Sequence, residues 1–538
     1  MLTETQLVPM PDKKISFKKG KNGTLYVYYT VRSYRRKKDG KPTSDEVCIG
    51  KKDLNSGMLI PNKRYLYMFG TVEDLLPGMI SKIWGSIYIL KKRAEAISIT
   101  KILQNIFPRQ WQDILLSACY MVLKGNVMMY LDDFCETYVT DSKLNSQSAS
   151  ELFASLDEGQ MNAFFREWIA GVQEKEYLAY DVTSISSYSE QMAEIEFGYN
   201  RDGENLPQLN VGMFYGEGSK RPVYFMIYSG SIPDKTHLEY MMGHAKQLGI
   251  QKVTFVMDRG FATQDNVDYL AQLSHSFILC LPTGQKIFKQ LIEDVSGTIK
   301  STANWIPGHD VYGVKAAQNV YGRTLNVHIF HSLELESNRR KEMHDYVGRL
   351  EKELSEMCDK KRNYSRFQRF FNIIANGEQS IQYEMDPNKV DDALKTAGFF
   401  AFVTDRADLE PSESITIYRQ KDGVEKIFHH FKNDLDFSRL KTHYSETTNG
   451  KHFVGFIALI LYCDILDLIK SSCSKEISHM TVKKVFLQMD KVRVMACNRE
   501  NRSYLMSPLT KKQKDILYAL NLNPDELIKE SQKLNCIL

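Results

Sequence analysis

The sequence predicts an α/β protein whose centre is a mixed sheet, preceded by a small β module and a helical domain. Between residues 174 and 281, short apolar runs and helical spacings follow one another in the order β-β-β-α-β-α-β. Helical spacing of apolar residues precedes this segment, and strand-like alternation precedes that in turn. At 538 residues the chain is too long for one ordinary core, so several domains are expected.

Residues 1–71 are predicted to form a basic, β-rich module. Alternating runs such as Thr24–Tyr29 and Glu46–Ile49 are separated by Lys-Asn-Gly and Asp-Gly turn signals. Residues 13–52 carry thirteen Lys or Arg and three acids, whereas the net charge of the whole chain is only +4. A basic end is typical of a protein that binds a polyanion. A solvated, lysine-rich hairpin explains the charge equally well.

Residues 72–173 are predicted to form a helical domain. Apolar residues recur there at helical spacing, as at Ile80, Ile83 and Ile87. Ser148 and Glu151 resemble a capping box, which predicts that a helix opens at Ser148.

Residues 174–281 are predicted to form the first part of the core. Its expected strands and helices are 177–184, 209–215, 222–228, 236–248 (helix), 252–257, 266–273 (helix) and 277–281. This is the element order of the ribonuclease-H-like fold, and acids lie at the ends of its first and fourth strands.

Residues 282–416 are predicted to be an inserted β-rich and helical lobe. The pattern there predicts a hairpin (313–317 with 325–330), a long charged helix from about Ser337 to Asp359 and a strand at 399–404. The core is predicted to resume over 417–470, with helices at 417–435 and 453–468. Residues 471–538 are predicted to be a mixed tail with a basic helix near Lys511–Leu520.

Composition argues against several classes of protein. The nine cysteines are scattered singly, without a Cys-x-x-Cys pair, which favours reduced thiols and argues against a zinc site. No stretch approaches the roughly 20 apolar residues of a membrane span, and Phe453–Leu461 is too short. The first residues lack the features of a secretory signal. The sequence therefore predicts a cytoplasmic protein with no membrane partner.

Two aspartates follow apolar strand residues. Asp181 lies in Ala179–Thr183, and Asp258 ends the run Val253–Met257 and precedes Arg259. Taken singly, each has a structural explanation, because acids often cap turns at strand ends. On adjacent strands, however, the two carboxylates would face one another.

A third acid lies on a predicted helix. Tyr418, Lys421, Glu425 and Lys432 have offsets of 0, 3, 7 and 14 residues, which places them within a roughly 60° arc of one helix face. A surface ion pair between Lys421 and Glu425 is the structural alternative. Together with the two aspartates, Glu425 would complete an oxygen-rich site for Mg²⁺ or Mn²⁺. Two such ions about 4 Å apart support in-line phosphoryl displacement.

These residues resemble the signature of bacterial insertion-sequence DDE transposases of the insertion sequence four superfamily. Their pattern is Tyr-x2-Arg-x3-Glu-x6-Lys, and Tyr418 to Lys432 match it except that Lys421 replaces the arginine. Similar segments occur at 180–183, 200–203, 230–238 and 258–261, so the resemblance covers about Leu178 to Leu461. The lysine keeps the charge but loses the bidentate fork of arginine.

The resemblance implies a catalytic and metal-binding set of Asp181, Asp258 and Glu425, holding two Mg²⁺ ions for which Mn²⁺ may substitute. It also implies DNA contacts by Tyr418, Lys421, Lys432, Arg259 and Trp305. For Trp305, stacking on a base is the functional interpretation, and anchoring the core of the inserted lobe is the structural one.

The function implied is metal-dependent cleavage and strand transfer at the ends of an insertion sequence. The expected partners are double-stranded DNA, as terminal inverted repeats and as target, and a second copy of the chain on paired ends. The basic first module would bind the repeats. One alternative is a ribonuclease-H-like nuclease or domesticated relative that cuts without joining, and another is a non-catalytic DNA-binding protein.

Overall fold

The computed structural model describes residues 7–11, 14–20, 23–35, 41–69, 79–172, 176–189, 192–250, 253–356, 364–374, 382–497 and 505–534. Several predicted features lie outside the described residues: the turns at Lys21-Asn22 and Asp39-Gly40, the start of a strand at Lys252, and the end of the charged helix at Asp359.

The first region is β-rich, as the alternating pattern predicts. Its antiparallel sheet has the order β1-β2-β3-β4. Val27, Ile49 and Leu59 form its buried centre. The elements are β1 (Ile15–Lys19), β2 (Leu25–Arg35), β3 (Pro42–Lys52), β4 (Leu59–Pro61) and α1 (Lys63–Phe69).

The second region is helical, with one strand at its start. That strand, β5 (Met79–Ile83), pairs with a strand near the end of the chain. The helices are α2 (Gly85–Ala96), α3 (Ile99–Ile106), α4 (Trp111–Lys124), α5 (Leu131–Thr137), α6 (Ser146–Ala154) and α7 (Glu158–Val172). The predicted helix start at Ser148 is wrong. Asn145 is the N-cap of α6, and Ser148 completes the capping box from inside the first turn.

The central region has the predicted order of strands and helices. Its elements are β6 (Tyr177–Ser186), β7 (Gln208–Gly216), β8 (Arg221–Ser229), α8 (Asp234–Gln247), β9 (Thr254–Met257), α9 (Gln264–Gln272) and β10 (Ser276–Cys280). In space the strands lie in the order β8-β7-β6-β9-β10. The first three are antiparallel, whereas β9 is parallel to both β6 and β10.

The strands predicted for the inserted lobe extend this central sheet instead of forming a sheet of their own. The sheet has nine strands, because β16 pairs with both β10 and β13. The added elements are α10 (Lys286–Val295), β11 (Trp305–Ile306), β12 (Val311–Val320), β13 (Arg323–His331) and β16 (Phe399–Thr404). The sequence pattern predicts these strands correctly but does not encode their partners.

The described residues between 333 and 397 (333–356, 364–374 and 382–397) pack around a separate small core. Val347, Leu350, Phe371 and Val390 are buried in it. Its elements are α11 (Leu333–Ser355), α12 (Ser365–Gln368), β14 (Phe371–Ile374), β15 (Gln382–Met385) and α13 (Pro387–Leu394). The described elements of this region therefore have a core apart from that of the central sheet, and the bounds of the lobe, 282–416, stay a prediction.

The last part of the chain returns to the central sheet and then to the helical region. Its elements are α14 (Pro411–Gln420), α15 (Asp422–His429), a π-helix (His430–Asp434), α16 (Ser445–Lys470), α17 (Lys475–Ser478), α18 (Val482–Met489), β17 (Arg493–Cys497), β18 (Leu505–Met506), α19 (Lys511–Ala519) and α20 (Pro524–Ser531). The predicted basic helix is α19.

Helix α16 is the core helix that joins the regions. Contrary to the expectation from sequence, it is long and apolar enough to cross a membrane, but 83% of its apolar stretch is buried inside the protein. A buried core helix meets the same length and composition criteria. Its Asp464 is 2% exposed and binds Arg93 of α2 and Arg221 of β8, with a closest N–O distance of 2.7 Å to each.

Candidate active site

The two predicted aspartates lie side by side on the central sheet. In the parallel pair β6–β9, Tyr180 is opposite Met257, so Asp181 and Asp258 are the next residues on neighbouring strands. Adjacent strands are about 4.8 Å apart. The Val182 N–H donates to Asp181 Oδ1 at 2.8 Å, which fixes the carboxylate of Asp181 beside its own strand.

Tyr418 is placed by the strand that returns from the insertion. Its ring stacks on Phe402 of β16, with ring centroids 4.1 Å apart and an angle of 24° between the planes. Its hydroxyl donates a hydrogen bond to Asp258 Oδ1 at 2.7 Å. The stack and the hydrogen bond together hold helix α14 against the end of β9.

Lys421 is the centre of the site. Its side chain is only 4% exposed, and its Nζ lies 3.2 Å from Glu425 Oε1 and 3.9 Å from Asp258 Oδ2. The carboxylates themselves are about half exposed, at 58% for Glu425 and 49% for Asp258. The ammonium also interacts electrostatically with Asp181. Two of the predicted acids, Asp258 and Glu425, therefore lie within 3.9 Å of one buried ammonium, and Asp181 acts on it electrostatically from farther away.

Charge and burial act in opposite directions on this group. Burial lowers the pKa of Lys421, but the carboxylates of Asp181, Asp258 and Glu425 outweigh that effect and raise it. Burial raises the pKa of Asp181, although the Lys421 ammonium partly offsets this. The Lys421 side chain therefore stays protonated, whereas burial shifts Asp181 toward its neutral, protonated form.

The predicted helix 417–435 is not one continuous α-helix. It starts earlier, at Pro411; α14 ends at Gln420, α15 starts at Asp422, and residues 430–434 form a π-helix. The break brings α15 close to β7: a Cβ on Gly423 would lie 2.5 Å from Tyr215 Cε1. Only glycine allows this approach without a shift of the neighbouring ring.

Lys432 does not join the acids. Its Nζ binds Asp202 Oδ2 at 2.6 Å, and its side chain is 11% exposed. The wider turn of the π-helix changes the angle between successive side chains, so Lys432 does not lie in the 60° arc predicted for a regular α-helix. Asp202 follows Arg201, which binds Asp234 at the start of α8. The segments around 200–203 and 230–238 are therefore tied to each other and to the π-helix.

Of the other two predicted DNA contacts, Arg259 lies at the edge of the carboxylate cluster and Trp305 lies far from it. Arg259 is exposed directly after Asp258. Trp305 is 36% exposed on β11, the outermost strand on one side of the sheet, and contacts Tyr312 edge-on at 5.0 Å. Five strand spacings separate it from β9.

Two neighbours of Tyr418 have no signal in the sequence pattern. Phe402 provides the stacking surface, and Cys280, at the end of β10, interacts with the Tyr418 hydroxyl. Burial raises the pKa of the Cys280 thiol to about 11, so it stays protonated near neutral pH. Strand pairing alone brings these residues to the site.

The donor set suits a hard cation. Asp181, Asp258 and Glu425 offer carboxylate oxygens only, the ligands that Mg²⁺ and Mn²⁺ prefer. Over the described ranges, the set with ligand atoms all within 4.8 Å of one another is His429, His430 and Asp434. The three acids are spread more widely around Lys421.

Comparison with known proteins identifies the family of this region. The family model described as "Transposase DDE domain" matches residues 173–461, more than half of the chain. No curated protein sequence matches the chain. One similar solved structure is a piggyBac transposase synaptic complex with hairpin DNA, at 10% identity and a TM-score of 0.36 over 76% of this chain and 80% of that one. A TM-score this low carries no conclusion about this chain.

Proposed function

Because the chain belongs to the transposase DDE-domain family, we propose that it cleaves DNA and transfers the cut strand at the ends of an insertion sequence, using divalent metal ions. The observation that carries this proposal is the position of Lys421, whose buried ammonium lies 3.2 Å from Glu425 and 3.9 Å from Asp258, with Asp181 next to Asp258 on the neighbouring strand. The three acids come from two strands and a helix. They are separated by up to 244 positions in sequence, so only the fold brings them together.

The proposed core is ribonuclease-H-like. The strand order β8-β7-β6-β9-β10 supports this, with three antiparallel strands followed by two parallel ones. In this arrangement Asp181, within β6, lies beside Asp258, which directly follows β9. We extend the proposal to membership of the insertion sequence four superfamily, on the match of Tyr418, Glu425 and Lys432 to its signature.

Asp181, Asp258 and Glu425 would hold the metal ions, preferably Mg²⁺. Bound there, the ions supply charge neutralisation at the phosphate and activation of the attacking hydroxyl. Tyr418 donates to Oδ1 of Asp258 and so orients this carboxylate, leaving Oδ2 available. Lys421, released from the carboxylates, would bind a phosphate oxygen as a point charge.

The proposed reaction has two steps, and in each step one P–O bond forms and another breaks. In cleavage, a water oxygen attacks phosphorus and the P–O3′ bond breaks, so one product is a 5′-phosphate and the other a 3′-hydroxyl that takes up a proton. In strand transfer, the 3′-oxygen attacks a second phosphorus and loses its proton, and the P–O3′ bond of that strand breaks. No redox partner is needed, because each step exchanges one phosphodiester oxygen for another.

The proposed partners are double-stranded DNA and a second copy of the chain. The basic first module would bind terminal inverted repeats, target DNA would reach the same carboxylates, and two copies of the chain would act on paired ends. The setting would be the bacterial cytoplasm, where the nucleoid provides both DNA substrates.

The test uses the full chain with Mg²⁺ and duplex DNA taken from both flanks of its gene. We expect cleavage by the wild type, and joining when a pre-cut end with a free 3′-hydroxyl is supplied. Asp258→Asn should lose cleavage by more than the roughly 10–100-fold typical of losing an outer-shell partner, and should still bind DNA. Asp265→Asn, an exposed acid on α9, is the matched control and should cleave normally.

The alternatives give different results. Cleavage without joining of pre-cut ends would replace the proposal with a nuclease or domesticated relative. If Asp258→Asn changes no measurable activity, the protein is a non-catalytic DNA-binding protein. Short inverted repeats bounded by a direct duplication in the flanking DNA would support the insertion-sequence context.

A further inference from the structure

A cavity of about 240 Å³ lies between the end of α4, helix α6 and the first turns of α16. It is separate from the carboxylate site, and none of the proposed catalytic residues lines it. Its polar lining comes from four parts of the chain: Asn126, Ser146, Ser150, Lys441, Thr447 and Lys451. We refer to it as the Lys451 pocket.

The charge in this pocket is unbalanced. Lys451 is 4% exposed, yet it forms neither a salt bridge nor a hydrogen bond with any residue that the structure describes. Burial and, less strongly, the charge of Lys441 lower its pKa, Asp436 partly offsets them, and the resulting pKa is about 8. Asp436 is itself paired with Lys441. At neutral pH the pocket therefore holds a mostly protonated amine without a counter-charge of its own.

Asn126 is a second incomplete group in the same wall. It is 1% exposed, and its Oδ1 has no hydrogen-bond partner among the described residues. An asparagine amide can be turned by 180° to exchange oxygen and nitrogen. After that turn, the position of the unpartnered oxygen holds an NH₂ donor, in a wall of the pocket that Lys451, Ser146 and Ser150 also line.

We propose that the Lys451 pocket binds a phosphate oxyanion. A buried charge is stable when it is paired and hydrogen-bonded, and a phosphate supplies both the opposite charge and several acceptor oxygens. The pocket offers the complementary donors, namely one ammonium, one amide and hydroxyl groups. At about 240 Å³ it has room for a phosphate group together with ordered water, whose share of liquid volume is about 30 Å³ each.

The phosphate can come from DNA or from a small phosphate compound. The connection to the carboxylate site favours DNA: the Leu440 N–H donates to Ser186 O at 3.1 Å, and Ser186 ends the strand that carries Asp181. Five residues of strand span about 17 Å. The DNA source rests on the proposed function, whereas phosphate binding itself does not.

The first experiment measures acetylation of individual lysines in the wild-type protein at pH 7, by mass spectrometry, without divalent ions so that no DNA is cut. Inorganic phosphate and duplex DNA are tested separately, at constant ionic strength in chloride. An anion beside Lys451 raises its pKa by about one unit or more, so its reaction should slow about tenfold. Lys470, an exposed lysine on the same helix, should react at an unchanged rate.

The second experiment measures phosphate binding calorimetrically in variants. Lys451→Met and Asn126→Asp should abolish binding, while Lys470→Met retains it. If DNA is the source, Lys451→Met should also lower the slope of log K against log salt for duplex binding by about 0.9.

The two probes distinguish DNA from a small phosphate compound as the source of the phosphate. Protection by duplex alone assigns the pocket to the DNA backbone, and protection by inorganic phosphate with an unchanged salt slope assigns it to a small phosphate compound. If neither probe slows acetylation of Lys451, the proposal is wrong. A protein that binds phosphate but cuts no DNA would overturn the proposed function and leave the pocket in place.

Discussion

Replacing Lys421 by methionine should strengthen the binding of Mg²⁺ to the carboxylate site. The lysine ammonium lies within 3.9 Å of Asp258 and Glu425, interacts electrostatically with Asp181, and offsets part of the negative charge of the three acids. A divalent ion must compete with that charge. Methionine keeps much of the apolar stem and removes the ammonium, so the acids are left with unbalanced negative charge that a metal ion can neutralise.

The distances set the size of this effect. Two unit charges 4 Å apart interact by about 1 kcal/mol in water and about 4 kcal/mol at an effective dielectric constant of 20. Lys421 Nζ is 3.2 Å from Glu425 and 3.9 Å from Asp258, but both carboxylates are about half exposed, so solvent screening favours the lower value. Removing the ammonium should therefore improve Mg²⁺ binding by about 1–2 kcal/mol, or about 5–30-fold in dissociation constant.

Isothermal titration calorimetry of the DNA-free protein with MgCl₂ measures this directly. Lys432→Met is the matched control, because Lys432 lies on the same stretch of helix but pairs with Asp202, and its affinity for Mg²⁺ should equal that of the wild type. Equal or weaker Mg²⁺ binding by Lys421→Met would refute the idea that this lysine is the counter-ion of the acids. Cleavage should still fall in this variant, since the phosphate contact is lost.

Three further predictions concern stability and are checked by urea denaturation. Gly423→Ala should lower the free energy of unfolding by about 1–3 kcal/mol, because its Cβ would lie 2.5 Å from the Tyr215 ring; unchanged stability would mean that α15 shifts freely. Asp181→Asn should raise stability at pH 7 in the absence of metal, because burial raises the pKa of this acid and folding therefore favours its neutral form; the gain should fade as the pH falls through the raised pKa of the folded state and be absent below the pKa of the unfolded chain. Asp464→Asn should cost about 3–5 kcal/mol, because it leaves the buried Arg93 without its charged partner; a loss below 1 kcal/mol would contradict the role assigned to this ion pair.

The central strands could be predicted from sequence because each is short, apolar and bounded by turn signals. The predicted strand 399–404 is β16 itself, and 209–215 differs from β7 by one residue at each end. Parallel pairing of β6 with β9 then follows from the element order. That pairing is sufficient to bring Asp181 and Asp258 together, since both follow the last paired residues of the two strands.

The remainder of the site depends on contacts that spacing does not encode. A continuous helix would place Lys432 beside Glu425, but the π-helix turns it toward Asp202. The spacing of apolar residues does not show where a helix changes locally from the i→i+4 hydrogen bonds of an α-helix to the i→i+5 bonds of a π-helix. In the same way, the sequence predicts the long charged helix that is α11 but does not identify the small core in which its residues Val347 and Leu350 lie.

The insertion is part of the site's construction and not only an appendage to it. Strand β16 enters the central sheet beside β10 and presents Phe402 to Tyr418, whose hydroxyl then reaches Asp258. Tyr418, which orients Asp258, one of the proposed catalytic acids, is thus positioned by a strand from the far end of the insertion. Shifting the register of β16 by one residue would turn Phe402 to the other face of the sheet and remove the stack. Sheet pairing of β16 therefore brings Asp258 and Glu425 together although a long segment separates them in sequence.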